Sequence, residues 1–174
     1  MKQEITYQIQ LAEAKHVPLI TDLYVRSWKR AYKGLLNQPY LDSLSYEDKF
    51  KKWSEYITKP GQGAFVAMDG EKMLGFVSFM PYHPYYPIDN CFYLDSLHVE
   101  PECHGQGIGT ALIERVLEEG RKGGYPQMGI CVVRGNENAL NLYLKMGAEH
   151  LAVREETFTG ELSYADLLLW KLQR

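Results

Sequence analysis

Leu97-His98-Val99-Glu100-Pro101-Glu102-Cys103-His104-Gly105-Gln106-Gly107-Ile108-Gly109-Thr110 is the stretch on which the fold turns. A strand-like run ends at Val99, three glycines alternate at 105, 107 and 109, and a helical pattern follows. Glycines so spaced let backbone N–H groups converge without Cβ obstruction. At a helix N-terminus those donors and the helix dipole favour a phosphate, so the loop suits a pyrophosphate. A Walker loop requires Gly-Lys-Ser/Thr, and the chain has no Gly-Lys dipeptide. A dinucleotide fingerprint requires GxGxxG/A, but the third position is Thr110 counted from Gly105 and Leu112 counted from Gly107. A tight turn with no ligand is the bland alternative.

Working outward, Ile5, Tyr7, Ile9 and Leu11 alternate as a first strand. Ile20, Leu23, Tyr24, Ser27, Trp28 and Ala31 recur at helical spacing, with Pro18 near the helix start and Gly34 at its end. Tyr46, Phe50, Trp53 and Ile57 mark a second helix, capped by Ser45 and closed by Pro60-Gly61. Strands follow at 64–68 and 73–80, joined by a turn starting at Asp69-Gly70. Residues 81–90 are a loop with three prolines and three tyrosines, and 92–99 is a fourth strand. Leu112, Ile113, Val116 and Leu117 form the apolar stripe of a helix that Gly123-Gly124 ends. A strand at 128–133, a helix at 136–146 stopped by Gly147, and strands near 149–158 and 162–172 complete the chain. This order predicts an α/β chain with a mixed, mostly antiparallel (α+β) sheet of about seven strands. It also predicts about four helices and one parallel crossover between residues 92 and 133.

The 174 residues fit a single domain, 1–174. A net charge of −3 and a pI near 6.0 give no basic field for nucleic acid or anionic lipid. The N-terminal residues lack a signal-peptide apolar region, and no apolar run approaches bilayer length, so a cytoplasmic protein is expected. Cys91, Cys103 and Cys131 are sparse, odd in number and without a CxxC pair, which implies reduced thiols and no zinc site.

A second motif lies at Asn136-Glu137-Asn138-Ala139-Leu140-Asn141-Leu142-Tyr143-Leu144-Lys145-Met146-Gly147-Ala148. It resembles the Asn-x-x-Ala-x-x-x-Tyr-x-x-x-Gly-Phe/Ala signature of the GNAT acyl-CoA N-acyltransferase superfamily. The glycine loop, read as His104-Gly105-Gln106-Gly107-Ile108-Gly109, is similar to that family's Gln/Arg-x-x-Gly-x-Gly/Ala. The resemblance is strongest over 91–172. It extends more loosely to Trp28-Lys29-Arg30-Ala31-Tyr32-Lys33-Gly34-Leu35-Leu36, similar to the first helix of many small bacterial members.

The resemblance implies a fourth and fifth strand that run parallel and splay apart, with acetyl-CoA in the gap. Its pantetheine arm would pair with the fourth strand at Leu97 and Val99, flanking His98. Its pyrophosphate would rest on the amides of His104, Gly105, Gln106, Gly107, Ile108, Gly109 and Thr110. Asn136 would contact the arm, and Ala139 would leave room for it. His104 departs from the family's Gln/Arg, and Gln106 replaces a frequent basic residue, so the loop lacks a strong phosphate donor.

Tyr143 matches the family's general acid, which protonates the departing thiolate. Spacing alone would equally make it a packing residue beside Ala139 and Met146. A backbone N–H near Leu97 or His98 would stabilise the oxyanion. Where some relatives hold a basic glutamate on the fourth strand this chain has Tyr93, and where others hold one on the fifth it has Cys131. Asp95, placed by a period of two on the face of Tyr93, Leu97 and Val99, is the best remaining carboxylate for a general base, directly or through water, the alternative being bulk water and an already neutral amine; His98 would point to the opposite face. Acceptor walls are expected from 35–46 and 158–164, with Trp28, Tyr32, Tyr82 and Tyr93 as aromatic contacts.

The implied activity is N-acetylation of a small-molecule amine, with no metal. A protein acetyltransferase and a non-catalytic acyl-CoA sensor are the other two classes. Cys131 counts against the first and Tyr143 against the second. The oligomeric state is not readable from the sequence; members of the family it resembles often form a homodimer through the last strands.

Overall fold

The computed structural model describes residues 4–172. Seven strands form one sheet: β1 (Gln8–Leu11), β2 (Gly63–Asp69), β3 (Lys72–Met80), β4 (Cys91–Val99), β5 (Gln127–Val133), β6 (Glu149–Glu156) and β7 (Ser163–Lys171). Their order is β1-β2-β3-β4-β5-β7-β6. β4 and β5 are the one parallel pair, and all other neighbours are antiparallel. The mixed sheet and its parallel crossover agree with the sequence reading.

The helices are α1 (Val17–Ala31), α2 (Gln38–Ser43), α3 (Tyr46–Tyr56), α4 (Ile108–Lys122) and α5 (Glu137–Lys145). Five helices replace the expected four. The extra one, α2, lies in what reads as a connection, because six residues are too few to display helical periodicity. Its local signal is Asn37, whose side chain accepts from the Tyr40 N–H at 3.2 Å, with Pro39 in the first turn. Ser45 caps α3 as expected, accepting from the Asp48 N–H at 3.2 Å. β1 begins at Gln8 rather than Ile5, although Ile5 and Tyr7 still pack on the core.

The sheet buries different partners on its two faces. On one face, Leu112, Ile113 and Val116 of α4 and Tyr143 of α5 pack on Phe65, Val77, Phe92, Leu94 and Met128. On the other, Ile20, Leu23 and Tyr24 of α1 and Trp53 of α3 cover Ala64, Val66 and Phe76. Past β4, α2 reaches this second face only at the end of β5, where Val133 packs with Leu41. The 81–90 loop covers the start of those strands, by seating Tyr86 among Cys91, Tyr93 and Leu167.

Gly129 makes that seat, since a Cβ there would lie 2.3 Å from the Tyr86 ring. The Tyr86 hydroxyl donates to the Leu168 carbonyl at 2.6 Å. Among the described residues, no helix is long and apolar enough to cross a membrane. Gly129→Ala should therefore unseat the loop and cost about 1–3 kcal/mol through overpacking. Tyr86→Phe should cost about 1 kcal/mol for the lost hydrogen bond. Urea denaturation of the two variants checks both values; a neutral Gly129→Ala would remove Tyr86 as the loop's anchor.

Candidate active site

β4 and β5 pair only over Cys91↔Gln127, Phe92↔Met128 and Tyr93↔Gly129. Beyond Tyr93 the strands part, although β4 stays paired with β3 to Val99 and β5 with β7 to Val133. The β5-facing edge of β4 is thereby left without a strand partner, and such backbone groups need another one. A cleft of about 700 Å³ fills the opening, lined by Leu97, His98 and Val99 of β4, Asn136, Ala139 and Tyr143 around α5, and the glycine loop. A smaller cavity of about 70 Å³ lies deeper, between Asp95, Ser96 and Leu97 on one side and Ile130, Cys131 and Val132 on the other. Trp28, Tyr32 and Tyr143 also line it.

The glycine loop forms as its sequence requires. Gly105 and Gly107 take φ of 78° and 81°, the left-handed region that disfavours side chains. Open space lies where their Cβ atoms would be. Gly107 is the N-cap of α4 and offers no capping side chain, so the first-turn N–H groups remain available to a ligand. His104, Gly105, Gly107, Ile108, Gly109 and Thr110 all line the cleft; Gln106 does not. The His104 ring turns back to the Val99 carbonyl at 2.9 Å, and Gln106 donates to the Glu102 carbonyl at 3.3 Å. Asn136 occupies the N-cap of α5 without capping it; its side chain lines the cleft and meets the Tyr32 hydroxyl in a hydrogen bond. An unpaired strand edge that runs into an open amide cradle fits a ligand with an amide-bearing arm and a diphosphate, as coenzyme A has.

β4 carries a bulge that corrects one expectation. The register shifts between Ser78 and Phe79, which face Ser96 and Leu94, so Asp95 is an extra residue on β4. Phe92 and Leu94 before the bulge, and Leu97 and Val99 after it, all face the α4 side. Strict alternation therefore fails, and Asp95 does not share a face with Leu97 and Val99. Its electrostatic neighbours, Lys52, His83 and Tyr56, lie with α3 and the 81–90 loop. Burial raises the Asp95 carboxyl above the ordinary carboxylate range, partly offset by Lys52, His83 and Tyr56. The Tyr56 hydroxyl donates to the Phe79 carbonyl at 2.9 Å.

Tyr143 is buried, edge-on to Trp170 with ring centroids 5.7 Å apart. Burial raises its phenol above the usual value, so it is protonated at neutral pH. Tyr93 is buried beside His83 at 4.5 Å between centroids. Cys131 accepts from Arg154 at 3.6 Å, and burial raises its thiol. His98 packs beneath α1 on the face opposite Leu97 and Val99, as expected, with Nδ1 2.8 Å from Ser27 Oγ.

Among the aromatic positions, Trp28 and Tyr32 stand together at 4.6 Å, while Tyr82 is 67% exposed and lines neither cavity. Tyr40 of α2 and Phe158 of the β6–β7 turn close on Trp28 at 6.5 and 6.4 Å. Those two residues lie in the wall segments expected for an acceptor, but nothing in the sequence singles them out. The Trp28 indole N–H is buried without a partner. Among the described residues, no group of three metal-ligating side chains converges.

The family model described as the Acetyltransferase (GNAT) family matches residues 18–148. The chain belongs to this family. A bovine (Bos taurus) thialysine N-epsilon-acetyltransferase is 38% identical over 63 residues, which are 36% of this chain and 37% of that protein. This chain thus aligns with little more than a third of that relative's length. The N-acetyltransferase YuaI of Bacillus subtilis is 28% identical over 134 residues, 76% of this chain and 75% of YuaI. In three dimensions the chain resembles PaiA N-acetyltransferase of Thermoplasma acidophilum, solved in complex with coenzyme A. That likeness has a TM-score of 0.77 at 18% identity and covers 96% of this chain and 99% of PaiA.

Burial pushes the His98 imidazole down to about 3, with the Arg30 charge adding to the effect. An unfolded histidine titrates near 6.5. Between those values the unfolded state holds the extra proton, so stability falls as pH drops from about 6.5 toward 3. His98→Asn should lack this component. Urea denaturation at pH 7 and pH 4.5 should show a smaller acid-side loss, on the order of 1–3 kcal/mol less, in the variant than in the parent. Equal losses would mean that His98 is not held neutral.

Proposed function

We propose that the protein transfers the acetyl group of acetyl-CoA to the primary amine of a small-molecule acceptor, both substrates being bound at once. The observation that carries this reading is the seam that opens after Tyr93 and Gly129 and leads into the glycine loop. One ligand, with amides along its arm and a diphosphate at its end, satisfies both features. In this reading the backbone of Leu97 and Val99 pairs with the arm. The amides from His104 to Thr110, backed by the α4 dipole, hold the diphosphate. Asn136 orients the arm beside the small Ala139.

Acetyl-CoA supplies a thioester carbonyl with a thiolate leaving group. The acceptor nitrogen bonds to that carbon as the C–S bond breaks. Tyr143 gives its hydroxyl proton to the departing sulfur, a role supported by its burial on the wall of both cavities. Asp95 takes the proton shed by the amine, directly or through water. Its raised carboxyl makes it a better base than an ordinary aspartate, and it lines the deep cavity. A backbone N–H at Leu97 or His98 would meet the charge that develops on the acetyl oxygen. Trp28, Tyr32 and Tyr93 would shape the acceptor side, and Tyr40 and Phe158 would extend it at the mouth. The bovine relative is named for the ε-nitrogen of thialysine, which favours a small amine over a protein acceptor.

Thiol release from acetyl-CoA over a panel of primary amines tests the reading. Tyr143→Phe and Asp95→Asn should each lower kcat by about 10²–10⁴-fold. With the active amine, kcat/KM should fall on the acid side with an apparent pKa above the usual carboxylate value of about 3.9, and Asp95→Asn should lose that limb. No turnover with any amine, and no difference between parent and Tyr143→Phe, would leave a binding module in place of an enzyme.

A further inference from the structure

A ligand with three phosphate groups calls for cations, and the glycine loop supplies none. The two loop side chains best placed to reach a phosphate are turned away, His104 onto the Val99 carbonyl and Gln106 onto the Glu102 carbonyl. Among the described residues, Arg30, near the end of α1, is the one lysine or arginine lining the 700 Å³ cleft. The one carboxylate there is Glu137, and no ion pair joins it to Arg30 among the described residues. A neighbouring hollow shares Thr110 and Leu142 with the cleft; it is lined by Arg121 and Lys145 and equally by the carboxylates Glu114 and Glu118, so its wall carries no net positive charge.

Arg26, one turn earlier on α1, is by contrast fully engaged. It donates to Asp22 at 3.0 Å and to Glu100 at 2.6 Å, which fastens α1 to the end of β4. That tether brings the last turn of α1 over the glycine loop. Arg30 keeps a single loose contact of 3.5 Å, to the Ser27 hydroxyl. Ser27 is itself fixed by His98 Nδ1 at 2.8 Å. Because His98 is neutral, its Nδ1 can accept a hydrogen bond from the Ser27 hydroxyl, which leaves the Ser27 oxygen to accept from Arg30. The guanidinium is thus aimed but not consumed.

We infer that Arg30 is the phosphate anchor of this cleft, gripping the coenzyme's pyrophosphate from the α1 side in place of the basic loop residue this chain lacks. The inference rests on the reading of the cleft as the coenzyme site. A planar guanidinium presents a fixed fork of donors that matches two phosphate oxygens, where a lysine offers a point charge without that geometry.

Calorimetric titration of the purified full chain with coenzyme A, 3′-dephospho-coenzyme A and pantetheine tests it, comparing the parent with Arg30→Ala and Arg30→Lys. The parent should bind coenzyme A; if it does not, the reading of the cleft fails whatever Arg30 does. Given that binding, Arg30→Ala should raise the Kd for coenzyme A and for the dephospho form alike, by about 10- to 100-fold. It should leave the pantetheine Kd unchanged. Arg30→Lys should recover part of the loss, and the melting temperature of the free variants should stay at the parent value, because Arg30 is exposed. Unchanged coenzyme A affinity in Arg30→Ala would overturn the inference. So would a loss confined to coenzyme A, which assigns Arg30 to the 3′-phosphate, or an equal loss for pantetheine, which makes its role structural.

Discussion

Parallel pairing between β4 and β5 ends at Tyr93 and Gly129, while each strand keeps its outer neighbour for several more residues. A sheet that separates along one seam has to satisfy the backbone groups it exposes. The separation is held by covalent and packing constraints, not by the seam itself. The bulge at Asp95 re-aims β4, while pairing with β7 over the whole of β5 keeps that strand straight. The cleft, the deep cavity and the convergence of α1, α5 and the glycine loop on one opening all follow from that divergence. Membership of the acetyltransferase family is the ground for proposing coenzyme A as the occupant of that opening.

The same constraint assigns opposite protonation habits to the two groups at the apex. Tyr143 and Asp95 are both desolvated, and desolvation disfavours the charged form of each. For a phenol this deepens an existing preference, so Tyr143 holds its proton firmly at neutral pH. For a carboxylate it raises proton affinity, and the nearby Lys52 and His83 charges limit the rise. In the proposed reaction one burial would therefore supply both a proton donor and a strengthened base, without an additional charge. The positions where relatives hold a glutamate are neutral here: burial raises both Tyr93 and Cys131.

Local patterns carried much of this into the sequence. Alternating apolar residues located the strands to within a few residues, the stripe Leu112, Ile113, Val116, Leu117 located α4, and three spaced glycines located the loop. What escaped was what depends on contacts across the chain. The Asp95 bulge depends on how β4 meets β3, and nothing in Cys91–Val99 alone announces it. Tyr40 and Phe158 are far apart in sequence and meet at 5.5 Å only because α2 and the β6–β7 turn close over the same mouth. Arg30 and Ser27 read as ordinary helix residues until the Arg26–Glu100 tether sets α1 over the end of β4.

That tether links the two substrate sides of the cleft. Residues of α1 and its C-cap face three ways at once: Arg26 fixes the helix to the β4 exit, Ser27 and Arg30 line the larger cleft beside the glycine loop, and Trp28 and the C-cap Tyr32 border the deep cavity. A rigid helix cannot move one of these groups without the others, since i, i+1 and i+4 positions are fixed by the helical repeat. His98 reinforces the coupling from below, touching Ser27 by a hydrogen bond and Tyr24 by an edge-on ring contact at 5.5 Å. Filling the phosphate half of the cleft would therefore hold α1 in the position that gives Trp28 and Tyr32 their place at the acceptor side. On the proposed reading, the wall that receives the amine would in this sense be set by the ligand that delivers the acetyl group.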